Sequence, residues 1–166
     1  MVEIERRFLC QIPEPDALRA ASRRSEIRQG YLSGGEPAVR IRARDGAYLL
    51  TIKAGRGRVR REVEVEVDAD AGEALFEMAG DRRLEKVRYV IGRWEIDVFR
   101  GPLDGLVLAE VELDAPDEPL PPVPAGVELL REVTDDATFT NQHLAHLAPE
   151  EARRLVREVT ESDGAS

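Results

Sequence analysis

Alternation of polar and apolar residues recurs along most of the chain, and it constrains the fold more than any other feature. RVRREVEVEVD, residues 58–68, shows it most clearly. Because a β-strand points successive side chains to opposite faces, such segments predict strands with one charged and one apolar face. The eight predicted strands are residues 2–10, 25–33, 38–44, 47–54, 58–68, 85–92, 93–101 and 106–114.

Turns and helices fill the intervals between these strands. Asp45-Gly46 predicts a tight hairpin, and the proline-rich residues 116–126 predict a surface loop. Helices are predicted over residues 14–21, 68–81, 134–147 and 149–159. Antiparallel strands with segregated helices indicate the α+β class, and eight strands favour a closed antiparallel β-barrel with a charged interior, flanked by a few helices.

Composition limits the function classes and the organisation. The 166 residues predict one domain, with its body in residues 1–147 and a C-terminal helix and frayed tail in residues 148–166. A net charge of −9 argues against nucleic-acid and anionic-membrane partners. With one cysteine, Cys10, no basic-apolar leader and no apolar run of about 20 residues, the expected location is the cytoplasm. A homodimer remains open.

Charges on the polar faces are sorted by strand. Strands 38–44, 47–54 and 85–92 carry only cations there, and strands 93–101 and 106–114 carry only anions. An ordinary sheet with a solvated charged face is the simpler alternative, but it does not need this sorting. If the charged face turns inward and the apolar face lies outside beneath the helices, a cationic wall faces an acidic wall.

Such a cavity suits an anion rich in oxygen together with divalent cations. Arginine and lysine bind phosphate oxygens, and closely spaced carboxylates are the hard ligands that Mg²⁺ or Mn²⁺ prefers. The pattern therefore predicts phosphoryl-transfer chemistry, in which positioning and charge neutralisation supply most of the catalysis.

Nine short motifs follow one another along the chain up to about residue 147. They are EIERRFL, QGYLS, VRIR, TIK, RREVEVE, KVRY, WEIDVF-x-G, AEVEL and EVTDD-x-x-x-TN. In this order they resemble one known family, the CYTH superfamily of triphosphate tunnel metalloenzymes.

The resemblance implies an eight-stranded tunnel that hydrolyses a linear triphosphate with Mg²⁺ or Mn²⁺. It also implies three groups of site residues. The implied metal ligands are Glu3, Glu5, Glu95, Asp97, Glu110 and Glu112. The implied phosphate-binding residues are Arg40, Arg42, Lys53, Arg60, Lys86 and Arg88. The implied catalytic residues are Arg7, Tyr31, Glu62 and Glu64.

Arg7 stands where the family has a lysine. The guanidinium keeps the charge but cannot release a proton at a workable pH, which affects any proton-handling pair formed with Tyr31.

The expected function is a metal-dependent triphosphatase acting on inorganic tripolyphosphate or a small organic triphosphate. The alternatives are an adenylate cyclase, which would need a nucleoside pocket, and a non-catalytic polyphosphate- or nucleotide-binding module. No aromatic cluster accompanies the basic strands, and the acids at the metal positions are intact.

Overall fold

One antiparallel sheet of nine strands forms the body of the computed structural model, which describes residues 4–55 and 61–162. The strand order is β5-β4-β3-β2-β6-β7-β8-β1-β9. The strands are β1 Ile4–Gln11, β2 Arg23–Tyr31, β3 Ala38–Arg44, β4 Ala47–Ala54, β5 Arg61–Val67, β6 Arg83–Ile91, β7 Trp94–Phe99, β8 Val107–Leu113 and β9 Glu128–Glu132.

Three α-helices accompany the sheet: α1 Ala69–Ala79, α2 Asn141–His146 and α3 Pro149–Ser162. Short 3₁₀ helices occur at Pro15–Ala20, Gly101–Leu103 and Ala137–Phe139. The α+β class is thus confirmed, although the predicted helix at 14–21 is a 3₁₀ helix and the one at 134–147 is divided in two. The predicted frayed tail lies outside the described residues from 163 onward.

The hairpin between β3 and β4 forms where the sequence predicts it. Asp45 has φ 49° and Gly46 has φ 88°, so both turn residues are left-handed. Two positive φ values in a two-residue connection match the twist of the flanking strands, and Asp-Gly tolerates them. The turn sets the register in which Arg42 faces Leu49 and Arg40 faces Thr51.

The sheet differs from the predicted eight-stranded barrel in two respects. The prediction of eight strands is wrong, because β9 pairs with β1 as a ninth. In addition, β5 and β9 are the two edges of the described sheet, so its hydrogen bonds do not close it into a barrel. Strand β5 is exposed along almost its whole length, and its outer edge pairs with no further strand in the described part of the chain.

The outer, apolar face is buried in two places. The 3₁₀ helix Pro15–Ala20 and the proline-rich loop cover the first, around Trp94, whose Nε1 donates a 3.0 Å hydrogen bond to the carbonyl oxygen of Pro122. Helix α1 covers the second by packing Phe76 against Ile41 and Ala43. Both follow the expectation that the apolar face is covered.

Helices α2 and α3 pack on the other face, which the charged residues occupy. Their side chains share a core with Leu9, Leu84 and Phe99. Each of these three residues lies two positions from a charged residue on its strand, so it points to the same face as that charge. Helices thus cover part of the charged face as well, which the sequence pattern did not predict. The inward face therefore has two parts along the strands. One end is apolar and is closed by α2 and α3, and the other end is charged.

No helix within the described ranges has the length and apolar character needed to cross a bilayer.

Gly72 allows α1 to pack closely against Tyr48 of β4, where a larger residue would not fit. A Cβ at this position would lie 2.1 Å from a ring atom of Tyr48, whereas a Cβ on Gly35 would meet nothing within 4 Å. We expect Gly72→Ala to lower the free energy of unfolding by about 1–3 kcal/mol through overpacking, despite the better helix propensity of alanine. Urea denaturation measures this, with Gly35→Ala as the control; equal stability of the two variants would contradict the packing.

Candidate active site

A cavity of about 430 Å³ lies at the charged end of the inward face, between β3 and β4 on one side and β7, β8 and β1 on the other. Most of its lining is ionisable. Its lining residues are Glu5, Arg7, Arg40, Arg42, Lys53, Arg88, Arg93, Glu95, Glu110, Val111, Glu112 and Asn141. Eight of the predicted site residues, besides Arg7, thus come together around one space, from strands far apart in the sequence.

The cationic wall is formed by Arg40, Arg42 and Lys53. Arg42 donates through Nε to Gln29 (3.0 Å), and Arg40 donates through Nη2 to the hydroxyl of Thr51 (3.5 Å). Burial, followed by the charges of Arg40 and Arg88, lowers the pKa of Arg42 to about 10. The Nε of Arg40 is buried without a hydrogen-bond partner. The hydrogen-bond partners of Arg40 and Arg42 are neutral side chains, so the charge of these two arginines is available to an anion.

The acidic wall centres on Glu5 and Glu110. A hydrogen bond with Glu110, followed by burial, raises the pKa of Glu5 to about 7. Burial opposes the shift at Glu110, but the hydrogen bond with Glu5 and the charge of Arg7 hold the pKa of Glu110 below its ordinary value. A divalent cation bound beside these carboxyl groups would compete with the proton on Glu5, because a carboxylate must lose its proton to bind a metal.

Arg7 ties this acidic pair to the C-terminal segment. Its Nε donates to Glu110 (2.6 Å), its Nη2 lies 3.4 Å from the carboxylate of Glu5, and its Nη1 donates to the carbonyl oxygen of Phe139 (3.1 Å). The register of β1 and β8 places Arg7 directly opposite Glu110. The guanidinium is therefore held by three acceptors and orients the carboxylates beside the cavity.

A buried charge cluster lies behind the cavity wall. Asp97 accepts from Lys86 Nζ (2.8 Å) and from Nε and Nη2 of Arg88 (2.8 and 3.0 Å). The side chains of Lys86 and Asp97 are 0% and 4% exposed. Burial raises the pKa of Asp97, but the charges of Lys86 and Arg88 outweigh it and lower this pKa to about 2. One carboxylate thus pairs with two cations and positions Arg88 at the cavity.

Tyr31 lies in a second, smaller cavity of about 140 Å³. Its hydroxyl accepts a 3.2 Å hydrogen bond from Gln29, and burial raises its pKa although Arg40 and Arg42 oppose this. We call this smaller cavity the end chamber. It shares Arg40, Lys53 and Asn141 with the main cavity, but Arg7 does not line it. It is lined by Tyr31, Ala38, Arg40, Thr51, Lys53, Asn141 and Gln142.

Four of the predicted site residues that the structure describes line neither cavity: Lys86 and Asp97 of the buried cluster, and Glu62 and Glu64. Glu62 and Glu64 lie on β5, opposite Lys53 and Thr51, and are exposed. Glu3 and Arg60 lie outside the described residues. Within residues 4–55 and 61–162, no group of three or more His, Cys, Asp and Glu side chains is arranged to hold a metal ion.

Sequence reasoning missed four polar lining residues: Thr51, Arg93, Asn141 and Gln142. Thr51 lies two residues before Lys53 on β4 and therefore points to the same face, so the alternation of this strand could have indicated it. Asn141 ends the motif EVTDD-x-x-x-TN, but it belongs to a helix, and strand parity carries no information about which helical residue faces the cavity.

The protonated Glu5 makes the stability of the metal-free protein depend on pH. Because its pKa is raised in the folded state, Glu5 contributes stability below about pH 4.5 that is lost as the pH rises to about 7. Its side chain is 43% exposed, so solvent screening limits the loss to about 1 kcal/mol. We expect Glu5→Gln to remove this part of the decline.

Urea unfolding in a chelator at pH 5 and pH 8 measures the effect. The control is Glu128→Gln, an exposed carboxylate on β9 that should keep the wild-type decline. A Glu5→Gln protein with the full wild-type decline would show that the two carboxyl groups do not share a proton.

An antiparallel sheet that places arginines opposite paired carboxylates around one cavity has the charge distribution that suits an oxygen-rich anion such as a phosphate. The CYTH domain family model matches residues 1–141, and the chain belongs to the CYTH family.

Relatives and solved structures agree with this assignment. The chain is 36% identical over 160 residues to the inorganic triphosphatase of Nitrosomonas europaea, covering 90% of this chain and all of that protein. It is 34% identical over 150 residues to the inorganic triphosphatase of Acetivibrio thermocellus, covering 86% and 92%. A crystal structure of an inorganic triphosphatase, 32% identical, superposes with a TM-score of 0.69 over 90% of this chain and 97% of that one.

Proposed function

We propose that this protein is a divalent-metal-dependent triphosphatase that hydrolyses inorganic tripolyphosphate in the charged cavity. The observation that carries the proposal is the pairing of two opposed features around one space. Arg40 and Arg42 present positive charge that pairs with no carboxylate in the described residues, and the carboxyl groups of Glu5 and Glu110 line the same space. The first feature needs an anion and the second needs a cation. The two curated relatives named above are inorganic triphosphatases.

Binding of the phosphate chain is assigned to the cationic wall and to Arg88. Guanidinium groups hold phosphate oxygens through paired N–H donors, and here they are already partly buried and oriented by neutral side chains. Lys86 supports Arg88 through Asp97 instead of reaching the main cavity itself. A bound triphosphate would supply the negative charge that lowers the cost of keeping these cations close together.

The metal is assigned to Glu5, Glu110 and Glu112, which line the same cavity from the neighbouring strands β1 and β8. As they stand in the described structure these three carboxylates are not arranged around one point, so binding an ion would require their side chains to converge. Carboxylate oxygens suit Mg²⁺ and Mn²⁺, and the raised pKa of Glu5 fits a site designed for positive charge. When bound, such an ion supplies charge neutralisation on the phosphate oxygens. Glu95, which pairs with Arg88 Nη1 at 2.9 Å and remains 43% exposed, is assigned the orientation of the attacking water.

Arg7 and Tyr31 have separate tasks in this proposal. Arg7 keeps Glu5 and Glu110 in place through the contacts described above, which requires a permanent charge and no proton transfer. Tyr31 stays protonated at neutral pH because its pKa is raised, so its hydroxyl can donate a hydrogen bond to a phosphate oxygen in the end chamber.

A substrate panel tests the proposed function. Purified protein with Mg²⁺ or Mn²⁺ is incubated with tripolyphosphate, thiamine triphosphate, ATP or long-chain polyphosphate, and the release of orthophosphate and of cyclic AMP is measured. We expect phosphate release from tripolyphosphate that stops when a chelator is added. Cyclic AMP formation from ATP without phosphate release would instead identify a cyclase, and binding without turnover would identify a binding module.

A further inference from the structure

Asn141 joins the C-terminal segment to the charged cavity, and neither the strand pattern nor the family residues carried over above include it. It is the first residue of α2 and lines both the main cavity and the end chamber. The two spaces also share Arg40 and Lys53, so Asn141 lies where one passes into the other. A phosphate chain that extends from the main cavity into the end chamber would pass this side chain.

The side-chain amide of Asn141 has a defined orientation. Lys86 Nζ lies 3.2 Å from Asn141 Oδ1, and because an ammonium group only donates, the amide oxygen must face Lys86. The amide nitrogen then points away from Lys86. Within the described part of the chain it has no hydrogen-bond partner, and it is not among the buried polar atoms that lack one. The Nδ2 donor is therefore available on the cavity side.

The segment that carries Asn141 is held firmly. Thr140 accepts a 3.2 Å hydrogen bond from the backbone N–H of His143, and Leu144 and Ala145 are buried in the core shared with the sheet. Phe139 packs in the same core, and its carbonyl oxygen accepts from Arg7. Asn141 is thus positioned by contacts on both sides, as a binding residue must be if it is to meet its ligand without a large entropy cost.

We propose that Asn141 is a substrate-binding residue whose Nδ2 donates to a phosphate oxygen where the chain enters the end chamber, while its Oδ1 accepts from Lys86. The proposal rests on the proposed function, because it assumes a phosphate chain in the main cavity. It assigns helix α2 a part in positioning the substrate, and makes the end chamber the place that receives a terminal phosphate group.

The competing role for Asn141 is purely structural, as an acceptor that satisfies Lys86. Two substitutions separate the roles. Asn141→Asp keeps an oxygen for Lys86 but replaces the donating NH₂ by an anionic oxygen, whereas Asn141→Ala removes both groups. If Asn141 only supports Lys86, aspartate should be the milder change. If Nδ2 donates to phosphate, aspartate should be the more harmful change, since it also repels the anion.

The experiment measures tripolyphosphate binding by calorimetry in a chelator, together with thermal stability and with KM and kcat in Mg²⁺. We expect Asn141→Asp to weaken binding by about ten- to a hundredfold, the range for a lost hydrogen bond to a charged group. Asn141→Ala should weaken binding less but should melt at a lower temperature than Asn141→Asp. Both variants should raise KM more than they lower kcat. His143→Ala, exposed on the same helix, is the control and should resemble wild type.

The inference would be overturned if the Asn141→Asp protein bound tripolyphosphate as tightly as wild type, or more tightly than the Asn141→Ala protein. Either result would leave the proposed function intact. A wild-type protein that neither binds nor hydrolyses tripolyphosphate would overturn the proposed function, and the inference with it.

Discussion

Replacing Asp97 by asparagine is expected to destabilise the protein by about 3–5 kcal/mol, the usual cost of leaving a buried charge without its partner. Asp97 is the acceptor for both Lys86 and Arg88, and its side chain is 4% exposed. An amide would keep the shape of the side chain but remove the charge that balances two cations. Urea denaturation at pH 7 gives the change in the free energy of unfolding.

The matched control is Glu132→Gln. Glu132 pairs with Arg6 at 2.6 Å, and the hydrogen bond from Arg6 lowers the pKa of Glu132 to about 2, which resembles the value for Asp97. The two side chains of that pair are 33% and 39% exposed, however, so water screens their attraction. We expect a loss of at most about 1 kcal/mol. Equal losses in the two variants would mean that burial does not determine the importance of Asp97.

Replacing Glu110 by glutamine is expected to lower kcat for tripolyphosphate by at least about a hundredfold, because it removes the carboxylate at the centre of the acidic wall. The amide oxygen can still accept from Arg7 Nε, which now lies 2.6 Å from Glu110. We therefore expect the free energy of unfolding to change by only about 1 kcal/mol. Steady-state kinetics with Mg²⁺ and a parallel urea titration measure the two quantities.

Glu128→Gln serves as the control for this variant, since Glu128 is an exposed carboxylate on the outermost strand β9, bonded to Gln11. Its activity should equal that of the wild-type protein. If Glu110→Gln retained full turnover, the acidic wall could not be the metal-binding and catalytic side of the cavity, and the assignment of Glu5 and Glu112 would fall with it.

Alternation along the strands predicted much of the fold. Eight of the nine strands and the Asp45-Gly46 hairpin were expected, because side-chain parity and turn chemistry are local properties. Strand β9, with the sequence ELLRE, has no alternation. It forms because its backbone hydrogen bonds pair with the free edge of β1, and nothing in its own side chains indicates that partner.

The candidate site was predicted in part for the same reason. Parity placed Arg40, Arg42, Glu95 and Glu110 on one face, and antiparallel pairing brought them around one cavity. Parity could not show that Lys86 and Asp97 lie behind that cavity as a buried ion pair, because the depth of a side chain depends on what packs over it. The sequence pattern also could not predict that Asn141 lines the cavity, since α2 contacts the sheet through residues that are distant in sequence.

Period-two alternation in the sequence by itself determined that this protein is a sheet with acids and bases sorted onto one face. The tertiary structure decided that the sheet has open edges, that α2 and α3 bury the apolar half of the charged face, and that the remaining half forms the cavity. The division has a physical cause: strand parity follows from backbone geometry within a few residues, whereas edges, covering helices and cavity depth follow from the burial of apolar surface between segments far apart in the chain.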